Sequence, residues 1–282
     1  MKGQKPWRRL RFGLSTLLGL KQLGYFIPYR YAADLNPPQS YPALEPLFAA
    51  SQGRLEELLD AASGHIDQLV DFSRAPAPHP RLNQDWFPGL DAIAAYTLVR
   101  DRKPARIFEI GSGHSTRFLS LAVADENLST KIDTIDPAPR ADISNLPGVT
   151  VHQHLLQETL ENFWDQIEPG DFVSLDGSHI LMPGTDVDAF FTSILPRIAS
   201  KAVLHIHDIT LPDAYPDQWA WRGYNEQNAV AALISSGAYD VLWSSHYVAT
   251  RLKDRLDSSG LRDLPRSENA IETSLWLLPR GL

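Results

Sequence analysis

The chain has 282 residues, 43% of them apolar, and a formal net charge of −8, which allows one large α/β domain with a real core plus an extension. Its acidic balance argues against a general nucleic-acid binder, which presents a basic face. With no Cys in the chain, a disulfide, a thiolate nucleophile and a zinc–thiolate site are excluded, in keeping with a reducing, cytoplasmic setting.

From Met1 to Tyr31 there are seven basic residues (Lys2, Lys5, Arg8, Arg9, Arg11, Lys21 and Arg30) and no acid. The apolar residues among them, Leu10 to Leu20, stop at Lys21, too early to span a bilayer. No small-residue cleavage site follows, so no secretory leader is expected. Residues 1–31 read either as a basic amphipathic helix in peripheral contact with the inner face of a membrane or as a helix packed on the main domain. Residues 25–50, with five prolines between Pro28 and Pro46, read as an irregular arm. Leu55, Leu58, Leu59, Ile66, Leu69 and Val70 then keep helical spacing across a break at Gly64. Ala75 to Pro80 is a Pro-rich linker. The expected division is a mainly helical extension, 1–80, and a main domain, 81–282.

Beyond the linker, Asp91 to Val99 predicts a helix and Arg106 to Ile110 a buried strand. Further strands are expected at Lys131 to Ile135, Val149 to His152, Asp171 to Leu175 and Ala202 to Ile206. Helices are expected at Glu158 to Ile167, around Val187 to Leu195, and at Asn225 to Leu233. Such alternation implies a parallel sheet with helices on both faces. Two closing β-rich runs, Tyr239 to Val248 and Thr273 to Leu278, predict a C-terminal antiparallel hairpin. Ligands of these sheets bind at the carboxyl ends of the strands, where Glu109, Asp136, Asp176, His179, His207 and Asp208 all fall.

The most informative stretch is Glu109-Ile110-Gly111-Ser112-Gly113-His114-Ser115-Thr116. A strand runs through two glycines into small polar residues that open an apolar helix, so a ligand can press against backbone N–H groups. The acid at the strand end would repel a phosphate but suits a positive amine or ribose hydroxyls. Asp136, 23 residues beyond Gly113, is placed to accept both ribose hydroxyls of a nucleoside. A dinucleotide loop needs a third small residue where Thr116 stands and has no use for Glu109. S-adenosylmethionine (SAM) therefore fits better than NAD.

These segments resemble the methyltransferase-24 group of class I SAM-dependent methyltransferases. The glycine loop looks like the group's E-x-G-S-G-x-S-T form. Asp171 to His179, Gly184 to Asp188, His205 to Pro212, Tyr215-Pro216, Trp221 to Gln227 and Ser274 to Leu277 resemble its later motifs, in order. The resemblance implies a Rossmann-like, seven-stranded, mostly parallel sheet, with SAM across the ends of the first two strands. It places Glu109, Gly111 and Gly113 near the methionine and ribose, Asp136 on the ribose and Gln157 near the adenine; Ser115 and Asp176 complete the expected cofactor contacts.

An alcohol acceptor needs alignment and either a base or a metal that acidifies it. Asp176 and Asp208 end neighbouring strands and could share Mg²⁺ or Mn²⁺, as acids do in the metal-dependent sugar and catechol O-methyltransferases this part resembles. Those sugar enzymes tend to carry two acids where this chain has His207-Asp208. The metal-free alternative makes His179 or His207 the base, with Asp208 beside them. Trp219, Trp221 and Tyr224 would shape an acceptor pocket or pack as a lid. His205 reads as a satisfied strand residue. The expected activity is O-methylation of a sugar, glycolipid or small metabolite. The alternatives are a non-catalytic SAM-binding protein held at a membrane or partner, and an NAD-dependent oxidoreductase.

Overall fold

The computed structural model describes residues 5–198, 200–268 and 270–282; Lys2 of the basic cluster lies outside them. The chain divides into two compact units, residues 1–38 and 39–282. In the first, α1 (Lys5–Leu17) carries Lys5, Arg8, Arg9 and Arg11, and Trp7, Leu10, Leu14 and Leu17 are all exposed.

The second unit contains residues 39–80, which the sequence assigns to the extension. Here α2 (Glu45–Ala49), α3 (Gln52–Ser63) and α4 (Ile66–Ser73) precede α5 (Gly89–Arg102), a helix whose residues from Gly89 to Val99 are all buried. Helix α3 buries Leu55, Leu58, Leu59 and Ala62 and packs on α5. Burial of such a stripe is what stabilises a short helix.

The sheet has seven strands in the order β3-β2-β1-β4-β5-β7-β6. They are β1 (Arg106–Ile110), β2 (Lys131–Ile135), β3 (Val149–His152), β4 (Phe172–Leu175), β5 (Val203–Ile206), β6 (Tyr239–Ser244) and β7 (Leu275–Pro279). The first five run parallel to one another; β7 runs antiparallel to both β5 and β6. Helix α6 (His114–Asp125) follows β1, while α7 (Asp186–Ala189), a π-helical turn and α8 (Leu195–Ile198) link β4 to β5. Helix α9 (Gln227–Ser235) precedes β6.

Two expectations need correction. The closing strands form an antiparallel pair but not a hairpin, because α10 (Ser245–Arg251) and α11 (Lys253–Ser259) lie between them. The run at Tyr239 turns helical at Ser245, where the Ser244 hydroxyl accepts from the Tyr247 N–H and caps the new helix. The helix expected at Glu158 to Ile167 is instead two short 3₁₀ turns, Leu156–Glu158 and Glu161–Gln166.

Parallel register brings the strand ends level: Ile110 pairs with Ile135 and Leu175, and Leu175 with Ile206. The ladder continues one residue further, with the Gly111 N–H on the Ile135 carbonyl at 3.0 Å, Asp176 on Ile110 at 2.8 Å and His207 on Leu175 at 3.0 Å. Chemically capable residues thus leave the sheet side by side.

Candidate active site

At the end of β1 the backbone turns through Gly111 at φ +80°, where a Cβ would lie 1.9 Å from the Asp176 carbonyl oxygen. Only glycine allows β1 and β4 to close together there. Glu109 is fully buried and accepts from the hydroxyls of Ser115 and Thr116, each at 2.5 Å. Thr116 Oγ1 in turn accepts from the Gly113 N–H at 3.0 Å. Burial pushes the Glu109 carboxyl up to about 8 against the pull of those two hydroxyls, with the charges of Asp176 and Asp136 adding to the rise. At neutral pH this side chain is mostly a neutral acid that fastens the loop to α6. Neither Glu109 nor Gly113 is among the residues that line the cavity described next.

The cavity, about 420 Å³, is lined by Gly111, Ser112, His114 and Ser115 from the glycine loop and by Asp136 to Ala138 after β2. Leu155 to Gln157, Asp176 to Ser178, and Trp86 with Phe87 complete much of the wall. Asp136 Oδ2 accepts from the Ser112 N–H at 2.8 Å and its hydroxyl at 3.1 Å, while Oδ1 takes the Ala138 N–H at 2.8 Å. Gln157 donates to the Gly184 carbonyl at 2.8 Å. Of the expected cofactor residues, Gly111, Ser115, Asp136, Gln157 and Asp176 share this one cavity.

Behind Asp176 lies a layer of buried charges. His179 Nε2 stands 3.4 Å from Asp176 Oδ1 and 3.5 Å from Asp208 Oδ2, and its Nδ1 stands 3.2 Å from Glu226 Oε2. His207 Nε2 meets Asp91 Oδ2 at 3.1 Å, with Nδ1 3.6 Å from Asp176 and 3.7 Å from Asp208. Burial opposes protonation of both rings, but the carboxylates prevail and hold both well above the usual imidazole range. Asp176 shows the converse: burial would raise it, yet His207 and His179 hold it well below the usual carboxylate range. His179 and Asp208 both have left-handed backbones, φ +60° and +55°, a strained arrangement for non-glycine residues that aims both side chains inward.

The sequence picked His179, His207, Asp176 and Asp208 but not their supports. Asp91, fully buried in the first turn of α5, also accepts the Thr273 and Ser274 N–H groups at 2.8 to 3.0 Å. An acid in the otherwise apolar run from Leu90 to Leu98 was the available signal. Glu226 is fully buried as well. Arg222 reaches Asp208 Oδ2 at 3.2 Å and lies over the rings of Trp219, at 4.2 Å, and Tyr224, at 5.1 Å. Tyr224 packs on His179 with ring centres 4.5 Å apart. His205 is closed between the Ser174 and Ser274 hydroxyls at 2.7 and 3.0 Å; burial pushes it down to about 3, aided by His207. It is a neutral structural ring. His207 is also enclosed, 3% exposed, with its Nδ1 3.6 Å from Asp176 Oδ1.

The donor set does not suit Mg²⁺ or Mn²⁺ between Asp176 and Asp208. His179 occupies the space between the two carboxylates, and Arg222 shares the same Asp208 oxygen. Two cationic groups thus already answer acids that a hard cation would need as oxygen ligands. Among the described residues no group of three or more His, Asp or Glu is arranged to hold a metal ion. In this arrangement His179 Nε2 lies within 3.5 Å of both carboxylates.

Residues 108–209 match a family model described as a methyltransferase domain, of the methyltransferase-24 family. No curated protein matches the chain. Among solved structures, the SAH-bound Podospora anserina methyltransferase PaMTH1 is 14% identical, with 92% of this chain and 100% of that one covered and a TM-score of 0.40. The plantazolicin methyltransferase BamL, in complex with a triazolic desmethylPZN analog and SAH, is 11% identical, with coverages of 80% and 100% and a TM-score of 0.37. A branched-chain polyamine synthase mutein from Thermus thermophilus is 14% identical, with coverages of 77% and 62% and a TM-score of 0.36. At such scores nothing about this chain's chemistry follows from them. The family match runs from β1 through the end of β5, so residues 108–209 are similar to a methyltransferase domain.

Proposed function

We propose that the chain transfers a methyl group from SAM to a hydroxyl of a sugar, glycolipid or small metabolite. The observation that carries this reading is the double position of Asp176. Its carboxylate lines the cavity and also stands within 3.6 Å of His179 and His207. When bound, SAM would supply an electrophilic methyl group whose sulfur needs little activation as it leaves. Gly111, Ser115, Asp136 and Gln157 would hold it, with Asp136 turned to the ribose and Gln157 to the adenine end.

Asp176, kept ionised by the two imidazoles, accepts the hydrogen bond of the incoming hydroxyl and aligns its oxygen. In the neutral form that its raised pKa confines to alkaline pH, His179 receives that proton by way of Asp176, and it is oriented by Glu226 and Asp208. Alignment supplies the larger part of such an acceleration, and the base about 10²- to 10⁴-fold. Incubation with methyl-labelled SAM and a panel of sugars, glycolipids, phenols and amines tests the reading. Label on oxygen, lost in Asp176→Asn and His179→Gln, is expected. Label on nitrogen or carbon alone would refute O-methylation, and SAM binding without turnover of any acceptor would favour the non-catalytic alternative.

A second reading concerns the first unit. No helix among the described residues is long and apolar enough to cross a membrane. Helix α1 nevertheless exposes Trp7 and Leu17 at 74% and 60%, beside Arg8, Arg9 and Arg11. We propose that it lies on an anionic lipid surface, apolar side down, with its arginines among the headgroups. Sedimentation with phosphatidylserine vesicles should carry the full chain down and leave a Trp7→Glu, Leu10→Glu variant in solution. Equal sedimentation of both would overturn it.

A further inference from the structure

The loop ahead of α5 puts an aromatic side chain on the cavity wall and braces it there. Gln84 is buried, 5% exposed. Its Oε1 accepts the Trp86 and Phe87 N–H groups at 2.7 and 2.8 Å, and its Nε2 donates to the Phe87 carbonyl. One side-chain amide thus takes up three backbone groups and fixes the turn. Phe87 is buried, with its ring 5.3 Å from that of His207, whose Nδ1 stands 3.6 Å from Asp176. Trp86, one residue earlier, lines the same cavity but is left 51% exposed.

His114 covers one face of the Trp86 indole, with ring centres 5.5 Å apart and planes within 3°. A ring stacked on one side that still exposes half its surface offers its other face. Trp243 and Trp276, by contrast, are fully buried and gain the stabilisation of leaving water. An indole held rigid in the open, on a cavity wall, forgoes that gain and is a ready platform for a ligand ring. Trp219, Trp221 and Tyr224 are not among the residues that line this cavity.

The rest of the wall selects what stacks there. Asp136, Asp176 and Asp186 bring three carboxylates to it against Arg140, which disfavours a phosphate or carboxylate on the incoming molecule. Asp136 is reserved for the ribose on the reading above, and Asp186 is taken up by the N–H and hydroxyl of Ser178. That leaves Asp176 to accept from an acceptor hydroxyl. The negative face of an indole suits a ring whose C–H groups point at it, and a carboxylate suits hydroxyls. A sugar ring carries both, one face of C–H groups and a rim of hydroxyls.

We propose that the open face of Trp86 is the subsite for an uncharged sugar ring of the methyl acceptor, stacked by its C–H face while one ring hydroxyl reaches Asp176. This deepens the O-methyl-transfer reading above and rests on it. Gln84 and His114 position the platform from the loop and from behind the ring.

The test uses the full chain loaded with S-adenosylhomocysteine (SAH). Saturation-transfer NMR with a panel of methyl glycosides should show a bound glycoside with saturation on the C–H groups of one sugar face. Trp86→Ala should weaken that glycoside by about tenfold or more, and Trp86→Phe, which keeps a smaller ring, by about threefold. Calorimetric SAH affinity should stay within about twofold of the wild type in both variants, which also reports a folded pocket. No glycoside bound, a glycoside held as tightly by Trp86→Ala, catechol bound in place of sugars, or glucose 6-phosphate preferred to the uncharged glucoside would overturn the subsite. So would a variant that loses SAH affinity, which would give Trp86 to the cofactor. Each of these leaves the SAM reading intact, whereas a wild-type chain that does not bind SAH would overturn both.

Discussion

Replacing Glu109 by Gln removes one ionisable proton while keeping the side chain's shape. The carboxyl is fully buried and its pKa stands at about 8 against an ordinary 4.5. A group whose folded pKa is raised binds its proton more tightly in the folded chain, so stability falls as pH rises between the two values. At about 1.4 kcal/mol per pH unit, the gap from 4.5 to about 8 amounts to about 5 kcal/mol by pH 8 and about 3 kcal/mol at pH 7. Gln escapes that loss, and its amide can still donate to Ser115 while its oxygen accepts from Thr116. The variant should match the wild type near pH 4.5 and be increasingly more stable above it. Urea unfolding of both proteins at pH 5, 7 and 8 measures this directly. Parallel pH profiles, or a variant that loses stability at pH 8, would show that Glu109 is ionised in the fold and refute the reasoning.

Gly111→Ala should fail for a different reason: its φ of +80° costs an L-residue about 1–2 kcal/mol, before the 1.9 Å approach to the Asp176 carbonyl is relieved. A fall in Tm of at least about 4 °C, with SAH binding weakened about tenfold or more, is expected. Because His179 is held well above the usual range, only the alkaline limb of the rate profile contains the neutral base, and turnover should rise with pH above 7. Glu226→Gln removes one carboxylate from that ring and should move the limb toward lower pH by about one unit; an unmoved limb would exclude His179 as the base. Turnover should be unchanged after EDTA treatment, since His179 and Arg222 already answer Asp176 and Asp208; loss that Mg²⁺ or Mn²⁺ restores would contradict this pairing.

Much of the architecture was legible because it rests on local signals. Apolar strands ended by glycine or acid, and helices of helical spacing, reveal a parallel sheet and the side of it that binds. Gly111, Asp136 and Asp176 were readable for the same reason, since each ends a strand whose register fixes its neighbours. The helices between β6 and β7 were hidden because Tyr247 and Val248 prolong the β-rich run that starts at Tyr239, and only the Ser244 cap marks the change. The burial of Glu109 and its bonds to the hydroxyls of Ser115 and Thr116 are not legible from its place at a strand end. Asp91 and Glu226 act on His207 and His179 from 116 and 47 residues away, a proximity that only the folded sheet creates. The buried layer behind Asp176 is therefore a tertiary property.

The measurement that bears most directly on the central claim is calorimetric titration of the full chain with SAM and with NAD, for the wild type and Asp136→Ala. SAM should bind and NAD should not. Asp136→Ala should weaken SAM by about 10- to 100-fold, through the lost ribose contact and the freed Ser112 N–H. SAM binding no tighter than NAD, or a variant as tight as the wild type, would contradict the account.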